Sequence, residues 1–188
     1  LISIARPVIE DIHQCLKVSG MALLLTNGAG CLLDMICDPE MEAQLLQWGI
    51  TPGVILTEEL VGTNAIGLAL TTRMPVQVSG AEHYARQFHE LTDAAAPSFA
   101  PSGALLGVLG IVLLHESAMP YILGLVLAGV RAIEGQHQAD LLMAEQNQQL
   151  AQLNTILSAI SDGILVWNSE QVLIHVNQAA SQMIGLPY

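Results

Sequence analysis

The stretch Ala104–Leu114 carries no charge and no strongly polar side chain, and His115-Glu116-Ser117 ends it abruptly. A strand with one wet face alternates apolar with polar residues, so a continuous run must be covered on both faces. Ala94–Phe99 reads as its neighbouring strand, joined across a turn at Pro101-Ser102-Gly103. The fold therefore needs a layer on each side of a sheet. Membrane insertion is the rival reading, but a spanning helix needs about 20 consecutive apolar residues. The next run, Ala118–Val130, is broken by Pro120, Gly124 and Gly129. No membrane segment is expected.

The layers can be read along the chain. Val8, Ile9, Ile12, Cys15 and Leu16 follow a 3/4 spacing and predict an amphipathic helix in residues 1–19. Met21–Leu25 and Cys31–Ile36 flank Asn27-Gly28 and predict a hairpin. Asp38-Pro39 opens a helix whose buried side is expected to be Leu45, Leu46 and Trp48, stopped by Gly49. Residues 50–61 read as a loop. Thr63 or Asn64 caps a helix running through Leu70, and Gly67 within it points to close approach of another backbone. Pro75–Val78 reads as a short strand and 79–93 as a polar loop. One side of the sheet is expected under the terminal helices, the other under residues 50–93.

From about Met119 to Ile160 the pattern is helical. Ile122, Leu125, Val126, Val130 and Ile133 share one face. Beyond them Met143, Gln146, Leu150, Leu153, Leu157 and Ile160 step by 3 and 4 alternately, a heptad seam that predicts a dimerising helix. After Ser161-Asp162-Gly163 come two short strands, Ile164–Trp167 and Val172–Val176, and a helix capped by Asn177. Two strands and a helix cannot enclose a core, so 161–188 read as the opening of a truncated domain. The start at Leu1 implies a natural N-terminus further upstream, and no signal peptide is visible.

Composition narrows function. The 188 residues hold 5 Lys plus Arg against 17 Asp plus Glu, a net charge of −12, and 12% charged residues, about half the usual share. Mean hydropathy is +0.52, which excludes a disordered chain. So few cations cannot neutralise a phosphate backbone, so this stretch is not expected to bind nucleic acid. Cys15, Cys31 and Cys37 lack CxxC spacing and read as free thiols in a reducing, cytoplasmic setting. No phosphate loop, nucleophile elbow or helical histidine pair is present, so no catalytic residue, cofactor or metal site is expected. His83 and His89, with Glu82 and Glu90 beside them, match no standard zinc spacing. They read as loop-anchoring histidines, as does Asp93 as a loop-anchoring carboxylate. His115 reads as a strand-end residue. A ligand pocket under the cover would draw on Val76, Val78, His83, Tyr84, Arg86, Phe88, His89 and Asp93. The alternative is a cover that collapses on the sheet and binds nothing.

Gly62-Thr63-Asn64-Ala65-Ile66-Gly67, Met74-Pro75-Val76-Gln77-Val78, Gly80-Ala81-Glu82-His83-Tyr84, Ala95-Ala96-Pro97 and Gly103–Leu109 occur in an order that resembles a GAF domain. It is the kind found in bacterial activators of the acetoin and dihydroxyacetone kinase operons. Tyr121–Val126 and Ala132-Ile133-Glu134 resemble their exit helix. Asp162-Gly163-Ile164 and Val176-Asn177-Gln178-Ala179-Ala180 resemble the start of a PAS domain. The resemblance implies an α/β (α+β) fold. Its parts are a GAF domain over 1–135 with an antiparallel sheet and flanking helices, a signalling helix over 136–160, and a partial PAS domain over 161–188. It also implies a sensory input module, working as a homodimer on a small-molecule or protein effector, upstream of a sigma-54 ATPase and a DNA-binding domain outside this sequence. Where such domains often carry Cys before Ala95, this chain has Asp93-Ala94. Rival outputs are a histidine kinase or a diguanylate cyclase. Rival classes are a protein-recruiting GAF domain with no ligand and a free methionine sulfoxide reductase.

Overall fold

The computed structural model describes residues 1–16 and 18–185. It divides into two compact units, Leu1–Gln138 and Ala139–Tyr188.

The first unit is built on a five-stranded antiparallel sheet in the order β2-β1-β5-β4-β3. Its strands are β1 (Met21–Asn27), β2 (Leu32–Cys37), β3 (Val76–Ser79), β4 (Leu91–Phe99) and β5 (Leu105–Leu114). Side chains alternate across the pleat. On β1, Met21, Leu23 and Leu25 enter one core while Ala22 and Leu24 enter the other. On β5, Leu109, Ile111 and Leu113 oppose Val108 and Val112 in the same way. Gly107 sits where β5 meets β1, and a Cβ there would collide with the Thr26 carbonyl.

Helices α1 (Ile2–Leu16) and α5 (Ile122–Ala159) supply one layer. Ala5 and Ile9 of α1 join Ile122, Val126, Val130 and Ile133 of α5 in the core on that side. Helix α1 starts well before Val8, with Pro7 inside it. Pro7 lies in the second turn, so α1 lacks the N–H that would bond the Ser3 carbonyl there.

The other layer holds α2 (Pro39–Gln47), α3 (Glu58–Val61) and α4 (Ala65–Thr72), with two 3₁₀ turns at Gly80–Glu82 and Arg86–Phe88. Asp38 caps α2, its Oδ1 accepting from the Met41 N–H at 2.8 Å, and its Oδ2 accepts from Gly20 at 2.6 Å. Burial pushes the Asp38 carboxyl up, but the N–H groups of Met41, Gly20, Met21 and Glu40 outweigh it and hold it below its ordinary value. The buried side of α2 is Met41 and Leu45, whereas Leu46 is 52% exposed. This corrects the expectation for Leu46. Residues 50–61 also contain the short helix α3, and β4 begins at Leu91 rather than Ala94.

In the second unit, β6 (Leu165–Trp167) and β7 (Leu173–Val176) form an antiparallel pair followed by α6 (Gln178–Ile184). Asn177 ties the unit together. Its Oδ1 accepts from Ala180 at 2.9 Å and Ile164 at 2.8 Å, and its amide donates to the Asp162 carbonyl at 2.9 Å.

Candidate functional site

The chemistry-bearing residues converge at the start of α4. Asn64 caps that helix by accepting from the Gly67 N–H at 2.8 Å, and its amide donates to the carbonyls of Gly62 at 2.8 Å and Leu56 at 3.3 Å. Gly67 explains why the chain approaches so closely. A Cβ there would lie 2.7 Å from the Glu58 nitrogen and 3.2 Å from the Leu56 carbonyl. The backbone approach expected for Gly67 is therefore present.

The first N–H of α4 needs an acceptor from outside the helix. Asp93 of β4 supplies it, with Oδ2 accepting from Ala65 at 2.9 Å. The other carboxylate oxygen, Oδ1, lies 2.8 Å from His83 Nε2, and His83 Nδ1 lies 3.0 Å from the Gly80 carbonyl. Both side chains are buried, with His83 3% and Asp93 7% exposed. A carbonyl only accepts, so Nδ1 carries a hydrogen. The Nε2–Oδ1 contact then needs a second proton between two acceptors. With Asp93 ionised, His83 is an imidazolium. Burial pushes this imidazole down. The hydrogen bond and charge of Asp93, the Gly80 carbonyl and Glu82 outweigh it and raise the pKa above its ordinary value.

His89 donates from Nε2 to the His83 carbonyl at 3.1 Å. Phe88 packs edge-on against Trp48, with ring centroids 5.5 Å apart, and against His83 at 6.1 Å. His115 closes the end of β5 through a 2.9 Å contact between its Nδ1 and Thr92 Oγ1. Of these contacts, His83 to Asp93 fastens residues 80–89 to the sheet.

Behind the clamp is a cavity of about 40 Å³. Its wall is mostly apolar and includes Leu24, Ile66, Leu91 and Val112, with Gly110 on the sheet leaving room for Ile66. A water occupies on the order of 10–15 Å³ by this measure, so the cavity suits a few waters. Small-molecule pockets run to about 300–1,000 Å³.

Of the residues singled out from sequence, His83, Phe88 and Asp93 line this cavity. Val78 is buried in the core on the same side and Val76 packs half-buried beside it. Tyr84 and Arg86 are exposed, and His89 is half-buried. Sequence reasoning did not single out Asn64, Leu45, Ile50 or Leu56 for the cavity, although all four line it. Asn64 carried a signal as a cap and Leu45 as part of the expected buried side of α2.

The arrangement fastens the cover to the sheet through groups of the protein itself. Both ring nitrogens of His83 and both oxygens of Asp93 are engaged by the protein itself. Burial pushes the Cys37 thiol up to about 11, with Glu42 and Asp38 adding to the shift. A thiol so protonated at neutral pH is a poor nucleophile. Cys15 is exposed and Cys31 half-buried, and all three cysteines are free. Among the described residues no three His, Cys, Asp or Glu side chains gather to hold a metal ion. Among the same residues no helix is long and apolar enough to cross a membrane.

The chain is similar in sequence to proteins described as regulators. Across 186 residues the chain is 31% identical to a signal-transduction and transcriptional-control protein of Clostridium beijerinckii. It is 30% identical over 186 residues to the glycerol metabolism operon regulatory protein of Citrobacter freundii. Each match covers 99% of this chain and 29% of the relative, so the chain spans less than a third of the length of these curated relatives. The E. coli DhaR(N)–DhaL complex superposes with a TM-score of 0.90 at 26% identity, covering 99% of this chain and 63% of that one. A GAF domain/HD domain protein from Geobacter sulfurreducens has a TM-score of 0.50 at 11% identity over 72% of this chain and 90% of that one, which shows the shared fold alone. The antiparallel sheet between helices is thus of the expected GAF type. Residues 1–135 match the family described as MimR, N-terminal domain, and the chain belongs to that family, a regulatory module of transcriptional activators.

Proposed function

We propose that this chain is the sensory input module of a bacterial transcriptional regulator, and that its signal arrives as a docking protein rather than as a metabolite in the cavity. The observation that carries this reading is the cavity itself. About 40 Å³ behind a fully hydrogen-bonded clamp is far below the volume a metabolite needs. The likeness to DhaR(N), whose solved structure is a complex with DhaL, supports a protein effector. In this reading the first unit receives the partner, α5 carries the change along a homodimer seam, and residues 161–188 begin a PAS domain. A sigma-54 ATPase and a DNA-binding domain follow, all in the cytoplasm.

Calorimetry separates the inputs. The full-length regulator is titrated with purified E. coli DhaL, and separately with glycerol and dihydroxyacetone. Heat of binding with DhaL and none with the small molecules is the expected result. Saturable binding of a small molecule at a 1:1 ratio, with no DhaL binding, overturns the reading.

A further inference from the structure

We propose that helix α3 and Tyr84 form the partner's docking surface, and that the partner presents an apolar side chain ringed by lysines or arginines. The proposal rests on the protein-input reading above.

Two large apolar side chains stand out here, Leu60 at 70% and Tyr84 at 82% exposure, with Ile55 at 41% beside them. They are exposed but held. Tyr84 follows the clamped His83 directly in sequence. Its side chain lies on Gly62, whose φ is +84° and where a Cβ would come within 2.9 Å of the tyrosine Cβ and Cδ1. A side chain at 62 would push Tyr84 off its seat. Leu60 sits on α3, which is fixed by the close approach of Gly67 to Glu58 and by a 3.0 Å hydrogen bond from Thr63 to Glu58. The backbone beneath both residues is therefore ordered before any partner arrives. Association then loses less conformational freedom, and a preset tyrosine is an effective anchor.

The ridge divides two grooves. One runs between Trp48, Ile55, Leu60 and Phe88, the other between Glu59, Thr63, Leu60 and Tyr84. Glu58 and Glu59 are exposed on the ridge, and among the described residues neither takes part in an ion pair. That charge selects the occupant. Nucleic acid and anionic lipid are repelled. A second copy meeting this face about a two-fold axis would set glutamates against glutamates. A protein with a basic rim around an apolar knob gains on both counts.

The test uses the full-length regulator and purified E. coli DhaL, with Leu60→Ser, Tyr84→Ala, Glu59→Lys and, away from the ridge, Met74→Ala. All four sites are exposed, so the melting temperature serves as a check that each variant is folded. The first two variants are expected to weaken binding about tenfold or more. Glu59→Lys is expected to weaken it and to flatten its dependence on salt, and Met74→Ala to bind as the parent does. If the parent binds and the three ridge variants bind equally well, the surface lies elsewhere while the protein-input reading stands. If the parent fails to bind DhaL, both the reading and this surface fall.

Discussion

The proton shared by His83 and Asp93 makes the attachment of the cover depend on pH. The His83 imidazole is raised above its ordinary value, so the folded chain keeps a proton that the unfolded chain releases. The stabilisation is complete below about pH 6.5, the unfolded value, and fades as pH rises through the folded pKa. In urea denaturation the parent is expected to lose stability from this source across a window that opens at about pH 6.5 and runs up through the raised folded pKa. His83→Gln is expected to start about 3 kcal/mol lower, because it leaves Asp93 buried with a weaker partner, and to be flat across the same window. Parallel pH profiles for parent and variant would exclude the shared proton. Asp38 works in the opposite sense. Its carboxyl is held below the ordinary value, so its contribution is present above about pH 4 and is lost as pH falls through the folded pKa. Gly67 acts through space alone. Gly67→Ala is expected to cost about 1–3 kcal/mol, since backbone rather than a flexible side chain stands in the way. An unchanged denaturation midpoint would show that α3 can move aside.

At the scale of elements, what the sequence made legible depended on whether the deciding contact was local. The hairpin, the Asp38 and Asn64 caps and the long helix follow from nearby residues, and they stand where expected. The rotation of α2 does not. Leu45 and Leu46 are equally apolar, and only the placement of the capped start and the returning Ile50 decides that Leu45 turns inward. Nor was the start of β4 legible. Thr92 and Asp93 look like loop residues until the sheet sets Asp93 against His83 and the first N–H of α4. The clamp joins residues far apart in sequence, so periodicity could not reveal it. Helix α5 leaves a different question. Met143, Leu150, Leu153 and Ile160 are 64%, 59%, 56% and 36% exposed, although they repeat on a heptad seam. Pairing with a second copy would bury that stripe. Sedimentation equilibrium is expected to give a dimer for the parent and a monomer for Leu150→Lys with Leu157→Lys. A parent that is monomeric at all concentrations would remove the seam's role.

For the molecule as a whole, the unbroken apolar strands lead to a sheet that serves two cores at once. The core under α1 and α5 and the core under α2 and α4 share β1, β4 and β5, so neither can be lost without exposing the other's floor. All of both cores lies within Leu1–Gln138. The second unit is different in kind. Among the described residues it has two short strands, the later part of α5 and α6, and it exposes Trp167, Val172, Ile174 and Met183. So small a sheet does not sustain a core on its own. Residues 1–138 are therefore expected to fold in isolation with one cooperative transition, at a melting temperature within about 5 °C of the 188-residue chain. Residues 139–188 alone are expected to show no cooperative transition, with any helical signal falling gradually on heating. If the shorter fragment melts cooperatively, or if 1–138 fails to fold, stability is shared between the units and the sheet is not the sole organising element.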